Sequence, residues 1–346
     1  MQLEDLGWDS FFADAFQPYE QEGLIPARVA ARHHGPCELL TERGRLGGIP
    51  AGKLEGLDLP AAGDWVAVRQ LDGERKALIE AVLPRRTTFT RKEAWRRTVE
   101  QVVAANLDTL FLVTAFGQDL NARRLERYLV AAWDSGANPV IVVNKSDVAG
   151  DVAGDLAEVE GIAFGVPVYP VSAATGAGLE ELEPYLGRGR TVALLGSSGV
   201  GKSTLVNRFA GRELLATADT GKGDRGRHTT TNRELVPLPG GALLLDTPGM
   251  REFQLWADDG GLDLTFADVA GLAADCRFAD CTHLHEPGCA VQAALADRSL
   301  PAERFESYLK LQREIRALEL KKDARLRSEA RKEWRRRHRS MRNVKY

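Results

Sequence analysis

Residues 196–203 read Gly196-Ser197-Ser198-Gly199-Val200-Gly201-Lys202-Ser203, and this octet decides the architecture of the centre of the chain. It satisfies the spacing G-x-x-x-x-G-K-[ST], follows the apolar run 192–195 and precedes a helical stretch at 204–209. The pattern has a physical content. Glycines let successive backbone N–H groups converge on phosphate oxygens, and the field of the helix N-terminus adds to their attraction for an anion. Lys202 is placed to neutralise the β and γ oxygens and Ser203 to ligate Mg²⁺, with Thr204 adjoining them in the expected binding set.

Working outward, other motifs close apolar runs in the same way. Asp246-Thr247-Pro248-Gly249 closes the run 243–245 and offers a carboxylate near Mg²⁺ and, at Gly249, a backbone N–H for the γ-phosphate. Asn144-Lys145-Ser146-Asp147 closes the run 140–143, and Ser172-Ala173 closes 168–171. These two are expected to read the base. A carboxylate at Asp147 can accept from both N1–H and the exocyclic amine of guanine. Adenine presents an acceptor at N1 and would leave a buried polar group unpaired. The Lys145 stem would lie over the base, and the Ala173 backbone N–H would meet the guanine carbonyl. The expected ligand is GTP, or GDP after hydrolysis, at the carboxyl edge of the strands, where open α/β sheets bind ligands.

After the phosphate loop comes Lys222-Gly223-Asp224-Arg225-Gly226-Arg227-His228-Thr229-Thr230-Thr231, polar and without periodicity, in the place of a switch segment. One threonine there should cap Mg²⁺ and the γ-phosphate: Thr230 is preferred and Thr229 is the alternative, since spacing does not fix the register. The residue after the Asp-Thr-Pro-Gly stretch is Met250, whose aliphatic side chain cannot orient an attacking water. Slow unassisted turnover is therefore expected, with His228 as the water-positioning candidate within the chain and a bound partner as the other source. Lys202 and Thr230 complete the expected catalytic set. Gly199 stands where potassium-activated GTPases place an asparagine, so no strong potassium dependence is expected.

The motif order is unusual, because the base-reading pair precedes the phosphate loop. The domain is circularly permuted, a rearrangement that nearby termini make tolerable. As a result the Asp-Thr-Pro-Gly switch leads directly into the C-terminal region, which hydrolysis is then expected to move.

Residues 92–256 alternate buried-strand runs with helical stretches such as 121–133, the pattern of a mostly parallel α/β domain. Residues 24–91 carry short β-type runs at 28–30, 38–40, 65–68 and 77–79, punctuated by Gly44, Gly47, Gly48, Gly63 and Gly73. A small β-barrel is expected there, and its scatter of Arg and Lys is compatible with oligonucleotide binding. Residues 1–23 hold Trp8, Phe11, Phe12 and Phe16 at near-helical spacing and read as an arm packed on its own protein. Residues 257–346 pass through a Cys/His cluster and a helical pattern from about 302 into a basic tail that includes Arg335, Arg336, Arg337, Arg339 and Arg342.

The 346-residue chain is 44% hydrophobic, enough for two or three domains with cores of their own. Its net charge of −3 conceals the basic tail, which suits nucleic acid or an anionic membrane. No apolar run approaches the roughly 20 residues that span a bilayer. Residues 1–5 have neither the basic nor the apolar part of a secretion signal. A cytoplasmic location is expected, where structural disulfides are rare. No lipidation motif stands at either terminus, which argues against a membrane-associated signalling role.

Three of the four cysteines are bunched in Cys276-x4-Cys281-x-His283-x5-Cys289. Three thiolates and an imidazole make a closed tetrahedral set suited to structural zinc, with His285 the competing imidazole and iron a further possibility for the metal.

Together these residues resemble the RsgA (YjeQ) family of circularly permuted GTPases. The resemblance rests on the permuted order, the loop 223–231, Asp246-Thr247-Pro248-Gly249, the cysteine–histidine spacing, Gly63-Asp64-Trp65 and Leu83-Pro84-Arg85, and it covers the chain from about Leu24 onward. It implies an N-terminal OB-fold β-barrel, a central α/β circularly permuted P-loop GTPase domain and a C-terminal zinc-binding helical domain. It also implies that the partner is the 30S ribosomal subunit with its 16S rRNA, that the role is in late maturation, and that hydrolysis is stimulated by the subunit and drives release. A monomer without a membrane partner is expected. The competing reading is a nucleotide-gated RNA-binding module whose hydrolysis is incidental.

Overall fold

A computed structural model describes residues 1–32, 36–54, 58–71, 73–92, 100–215, 234–246 and 259–322. Its first strands are β1 (Ile25–Arg32), β2 (Cys37–Thr41), β3 (Gly44–Pro50), β4 (Trp65–Gln70) and β5 (Lys76–Val82). β1 pairs antiparallel with β2 and β2 with β3; β3 then runs parallel to β5, β5 antiparallel to β4, and β4 returns to β1. This order closes an OB-type barrel, which protects its strand edges by pairing them. Ala27, Val29, Leu39, Val66, Val68 and Ile79 alternate inward and form its core. The four runs expected from sequence all lie in strands, whereas β3 shows in the sequence only as glycine punctuation. A Cβ on Gly48 would stand 2.8 Å from a Leu39 methyl, so the small residue there serves close packing inside a strand.

The arm forms a short 3₁₀ turn (Leu3–Leu6) and α1 (Ser10–Glu20), which begins at Asp9, whose carboxylate accepts from Phe11 N. Phe12 and Phe16 are buried, and Trp8 meets Trp65 edge-on at 4.6 Å between ring centres. The arm therefore packs against the barrel, as its aromatic spacing suggested.

Beyond the barrel, β6 (Thr88–Lys92) and β7 (Glu100–Ala105) form a two-stranded sheet. The α/β region follows as β8 (Thr109–Ala115), α2 (Ala122–Ser135), β9 (Asn138–Asn144), α3 (Val152–Glu160), β10 (Val168–Pro170), β11 (Thr191–Gly196), α4 (Lys202–Ala210), β12 (Glu234–Pro237) and β13 (Leu243–Asp246). Spatial order is β10-β9-β8-β11-β13-β12, parallel except for β12, and β12 joins barrel strand β1 at the pair Ala31–Glu234. The chain builds outward from β8 in one direction and from β11 in the other, so the topological switch point lies between these neighbours. Phe111, Val113, Val140, Val142, Val192 and Leu244 line the core, which explains their continuous apolar runs in strands covered on both faces.

Residues 1–91 and 100–254 make one compact unit, and 92–99 with 255–346 a second. The second contains α5 (Asp259–Thr265), α6 (Ala267–Ala274), α7 (Ala290–Ala296) and α8 (Ala302–Lys322). Arg304 is buried there, pairing with Asp268, donating to Thr265 O at 2.7 Å and lying 4.3 Å over the Phe266 ring. Among the described residues no helix is long and apolar enough to cross a membrane. The basic tail beyond residue 322 lies outside the described residues.

Candidate active site and metal centre

The motif-bearing ends of β9, β10, β11 and β13 all point the same way, because these strands are parallel. β11 ends at Gly196, and α4 begins at Lys202 after Gly201. Two glycines are required for different reasons. A Cβ on Gly196 would come within 2.3 Å of Val113 O, and Gly201, at φ 95°, would place one 2.1 Å from Asn144 Nδ2. Ser197, Ser198, Gly199 and Val200 form the turn, with Ser203 and Thr204 in the first turn of α4. The Lys202 ammonium donates to Gly196 O at 2.8 Å and Ser197 O at 2.5 Å, so the cation is held over its own loop, where phosphate oxygens would meet it.

Asn144, at the end of β9, ties this loop to Ala173 beyond β10. Its Nδ2 donates to Val200 O at 2.8 Å, its Oδ1 accepts from Ala173 N at 2.9 Å, and its backbone oxygen accepts from Phe116 N at 3.0 Å. This side chain is buried and acts as a cross-brace. The Ala173 N–H, expected to face a guanine carbonyl, donates instead to Asn144 in this structure, since a buried amide takes the nearest acceptor.

Asp147 is exposed and accepts from Ser172 Oγ at 2.6 Å, while Ser172 Oγ itself accepts from Thr175 N. The hydroxyl thereby aims the carboxylate, giving Ser172 a positioning role; Ser146 N donates to Val171 O and joins the two motifs through the backbone. Lys145 has φ 66°, an uncommon conformation for a non-glycine residue, and its ammonium pairs with Asp119 at 3.0 Å. Asp119, in the turn after β8, and Arg208, which donates to Ala173 O at 2.9 Å and also binds Ala174 O, were missed from sequence. Neither belongs to a motif, and Arg208 reads as an ordinary cation in the last turn of a helix.

The backbone of Asp246 ends β13, opposite Glu234. His228, Thr229, Thr230, Gly249 and Met250 lie outside the described residues.

In the second unit, the ligand atoms of Cys276, Cys281, His283 and Cys289 all lie within 4.8 Å of one another. Nδ1 of His283 is 3.5 Å from both Cys276 Sγ and Cys289 Sγ, and those sulfurs are 3.8 Å apart. A tetrahedron built on metal–sulfur bonds of about 2.3 Å has edges of about 3.8 Å, so the observed spacings fit a metal of that size. His283 adopts φ 58°, and Gln292 Nε2 fixes its carbonyl at 2.6 Å. His285 is not in the cluster; its backbone N–H goes to Glu286. Glu286 also accepts from Thr282 and from the N–H of Leu284, and the Thr282 hydroxyl foremost holds its carboxyl down at about 2.

The chain is similar to proteins already known. A family model described as RsgA GTPase matches residues 82–256. A protein of Opitutus terrae named small ribosomal subunit biogenesis GTPase RsgA is 53% identical over 329 residues, covering 91% of this chain and 90% of that protein. The crystal structure of YjeQ from Thermotoga maritima matches with a TM-score of 0.64 at 28% identity, covering 84% of this chain and 98% of that one. YloQ, described as a circularly permuted GTPase, matches with a TM-score of 0.61 over 85% of this chain and 96% of its own, and at 23% identity speaks for the fold alone.

Proposed function

Because the chain belongs to the RsgA GTPase family, and so is a GTP hydrolase, we propose that it binds the 30S ribosomal subunit, assists its late maturation and leaves when GTP is hydrolysed. Support for the substrate comes above all from Asn144, which braces the phosphate loop against the base-reading loop and makes one site of motifs far apart in sequence. The printed name of the Opitutus relative supports the choice of partner.

In this reading Asp147, aimed by Ser172, accepts from the guanine edge, and the Lys145 stem covers the base face. Gly196, Ser197, Ser198, Gly199, Val200, Gly201 and Thr204 surround the phosphates, while Lys202 releases its loop carbonyls to bind phosphate oxygens. Ser203 and Thr230, or Thr229 in its place, would hold Mg²⁺, with the Asp246 carboxylate near that ion and the Gly249 N–H beside the γ-phosphate. When bound, that ion neutralises charge developing on the phosphate oxygens. His228 or a group on the 30S particle positions the attacking water, since Met250 cannot.

The Cys276, Cys281, His283 and Cys289 set would hold one structural Zn²⁺, the ion suited to three thiolates and an imidazole with no position left for water. Metal content of the purified protein checks this: one zinc per chain is expected, and iron in its place overturns the choice.

Four segments share the work: the arm 1–23, the barrel 24–91, the GTPase domain 92–256, and the zinc and helical region 257–346 with its basic tail. Barrel and tail contact 16S rRNA through phosphates, with affinity that falls steeply as salt rises. The protein acts in the cytoplasm as a monomer, with no membrane partner. GTP hydrolysis measured with 30S subunits, with 50S subunits and with bare RNA tests the proposal. Stimulation by 30S alone is expected; equal rates in every condition would remove the ribosomal partner and leave the guanine site.

A further inference from the structure

We propose that Glu234 is a positioning residue through which the nucleotide site responds to phosphate groups arriving at the barrel, an inference that rests on the RNA-binding role proposed above. Glu234 opens β12, whose two edges face different structures. On one edge it stands opposite Ala31 of barrel strand β1, and on the other opposite Asp246, the residue proposed beside magnesium. The row Ala31–Glu234–Asp246 thus crosses from the barrel wall to the nucleotide site in two strand spacings, about 10 Å in all.

The attachment is narrow. Among the described residues β12 pairs with β13 at four positions but with β1 at one, and the register of β1 against β2 shifts between Val29 and Ala31, immediately beside that pair. A bulge is where a strand bends most readily, so a tilt of the barrel is felt by β12 at this pair. One guanidinium holds this point. Arg45 of β3 binds Glu38 of β2 and also Glu234 at 3.2 Å, and Glu38 is itself the β2 partner of Ala31. Three strands therefore meet in one ion cluster around the Ala31–Glu234 pair.

The Arg45 side chain is 53% exposed. A nucleic-acid phosphate reaching it competes directly with the Glu234 carboxylate. Loss of that tie removes the side-chain link between the barrel and β12 at the Ala31–Glu234 pair, opposite Asp246. An exposed ion pair shifts an equilibrium by up to about fivefold, which sets the size of the effect.

The test compares the parent with Glu234→Gln, Arg45→Ala and the double variant, assaying GTP hydrolysis alone and with saturating 30S subunits. Basal rates should stay within about twofold of the parent. The stimulation factor should change by about two- to fivefold in each single variant, and the double variant should be no worse than either, because both remove the same tie. Stimulation at the parent value in both singles would overturn the inference. Hydrogen exchange of the β1 and β2 amides, with GDP and with a non-hydrolysable GTP analogue, supplies a readout that needs no ribosome. A nucleotide-dependent difference in the parent that Glu234→Gln abolishes supports the coupling; the same difference in both proteins, or none in the parent, sinks it. A parent that 30S subunits fail to stimulate would refute the ribosomal partner, and the exchange result would still decide the role of Glu234.

Discussion

The two ends of the parallel sheet are built on opposite principles. At the carboxyl end, Asp147 is exposed and Lys202 donates to loop carbonyls that it can exchange for a ligand. At the amino end, polar groups are consumed by the protein itself. Arg28 is 2% exposed and donates to Leu6 O, to Gly63 O at 3.2 Å, to Asn106 O at 3.1 Å and to Thr191 Oγ1 at 2.8 Å. Burial pulls its guanidinium down to about 10, against the opposing pull of Asp108 and Asp64. The contrast separates groups kept available for a ligand from groups that fasten the arm, barrel and GTPase sheet together.

The largest expected effect tests whether the fastened end matters for stability alone. Asp64 is fully buried, accepts from Arg85 through two 2.7 Å bonds and from Ala61 N at 2.8 Å. Asp64→Ala leaves a largely buried guanidinium without its anion, a change that costs about 3–5 kcal/mol. Denaturant unfolding should show this loss, with GDP affinity of the folded protein at the parent value. A parallel fall in GDP affinity would mean that the two ends are not independent.

Asn144→Ala probes the open end. It leaves Val200 O and Ala173 N without their buried partner, each such loss costing about 1–3 kcal/mol, so GDP binding should weaken by about 10- to 100-fold in calorimetry. Parent affinity would reduce Asn144 to a spectator. Asp119→Ala should act more weakly. It frees the half-exposed Lys145 ammonium, and an exposed pair contributes about 0–1 kcal/mol, so GDP should dissociate at most about fivefold faster. An unchanged off-rate would show that Lys145 needs no holder.

The same contrast explains what could be read in the sequence. Nucleotide motifs are local because a phosphate or a base edge fixes residue types at short spacings, and the four residues of the Cys/His cluster, which could hold a metal ion, fall within 14 positions for the same reason. The fastened end draws on Arg28, Gly63, Asp64, Arg85, Asn106 and Thr191, which meet only after folding. Gly63-Asp64-Trp65 and Leu83-Pro84-Arg85 carry part of the family resemblance, and their spacing alone offers no physical reason for it. The structure supplies one: Asp64 binds Arg85, and a Cβ on Gly63 would lie 2.1 Å from Ala105 O. Strand β12, four residues long with Pro237 at its end, carried too little alternation to be seen.

The smallest expected effect lies at the arm, the most peripheral part of the fastened end. Arg86 lies over the rings of Phe11 and Phe12 at 4.7 and 4.8 Å and binds the carboxylate of Asp9, which also caps α1. Burial pushes the Asp9 carboxyl up, but the Arg86 bonds and the backbone N–H groups outweigh it and leave the group below its ordinary 3.8. A depressed folded value means that the contribution is fully present above 3.8 and is lost as pH falls through and below that value. Both side chains are more than a third exposed, so the contribution is screened and stays below about 1 kcal/mol. Fluorescence of Trp8, which packs on Trp65 and Phe12, should therefore change slightly as pH drops below 4, before global unfolding. In Arg86→Ala the Asp9 carboxyl rises toward its ordinary value and this early change should vanish. If it persists unchanged, acid releases the arm through another carboxylate; Asp5, held low foremost by its bond from Arg188, is then the group to replace next.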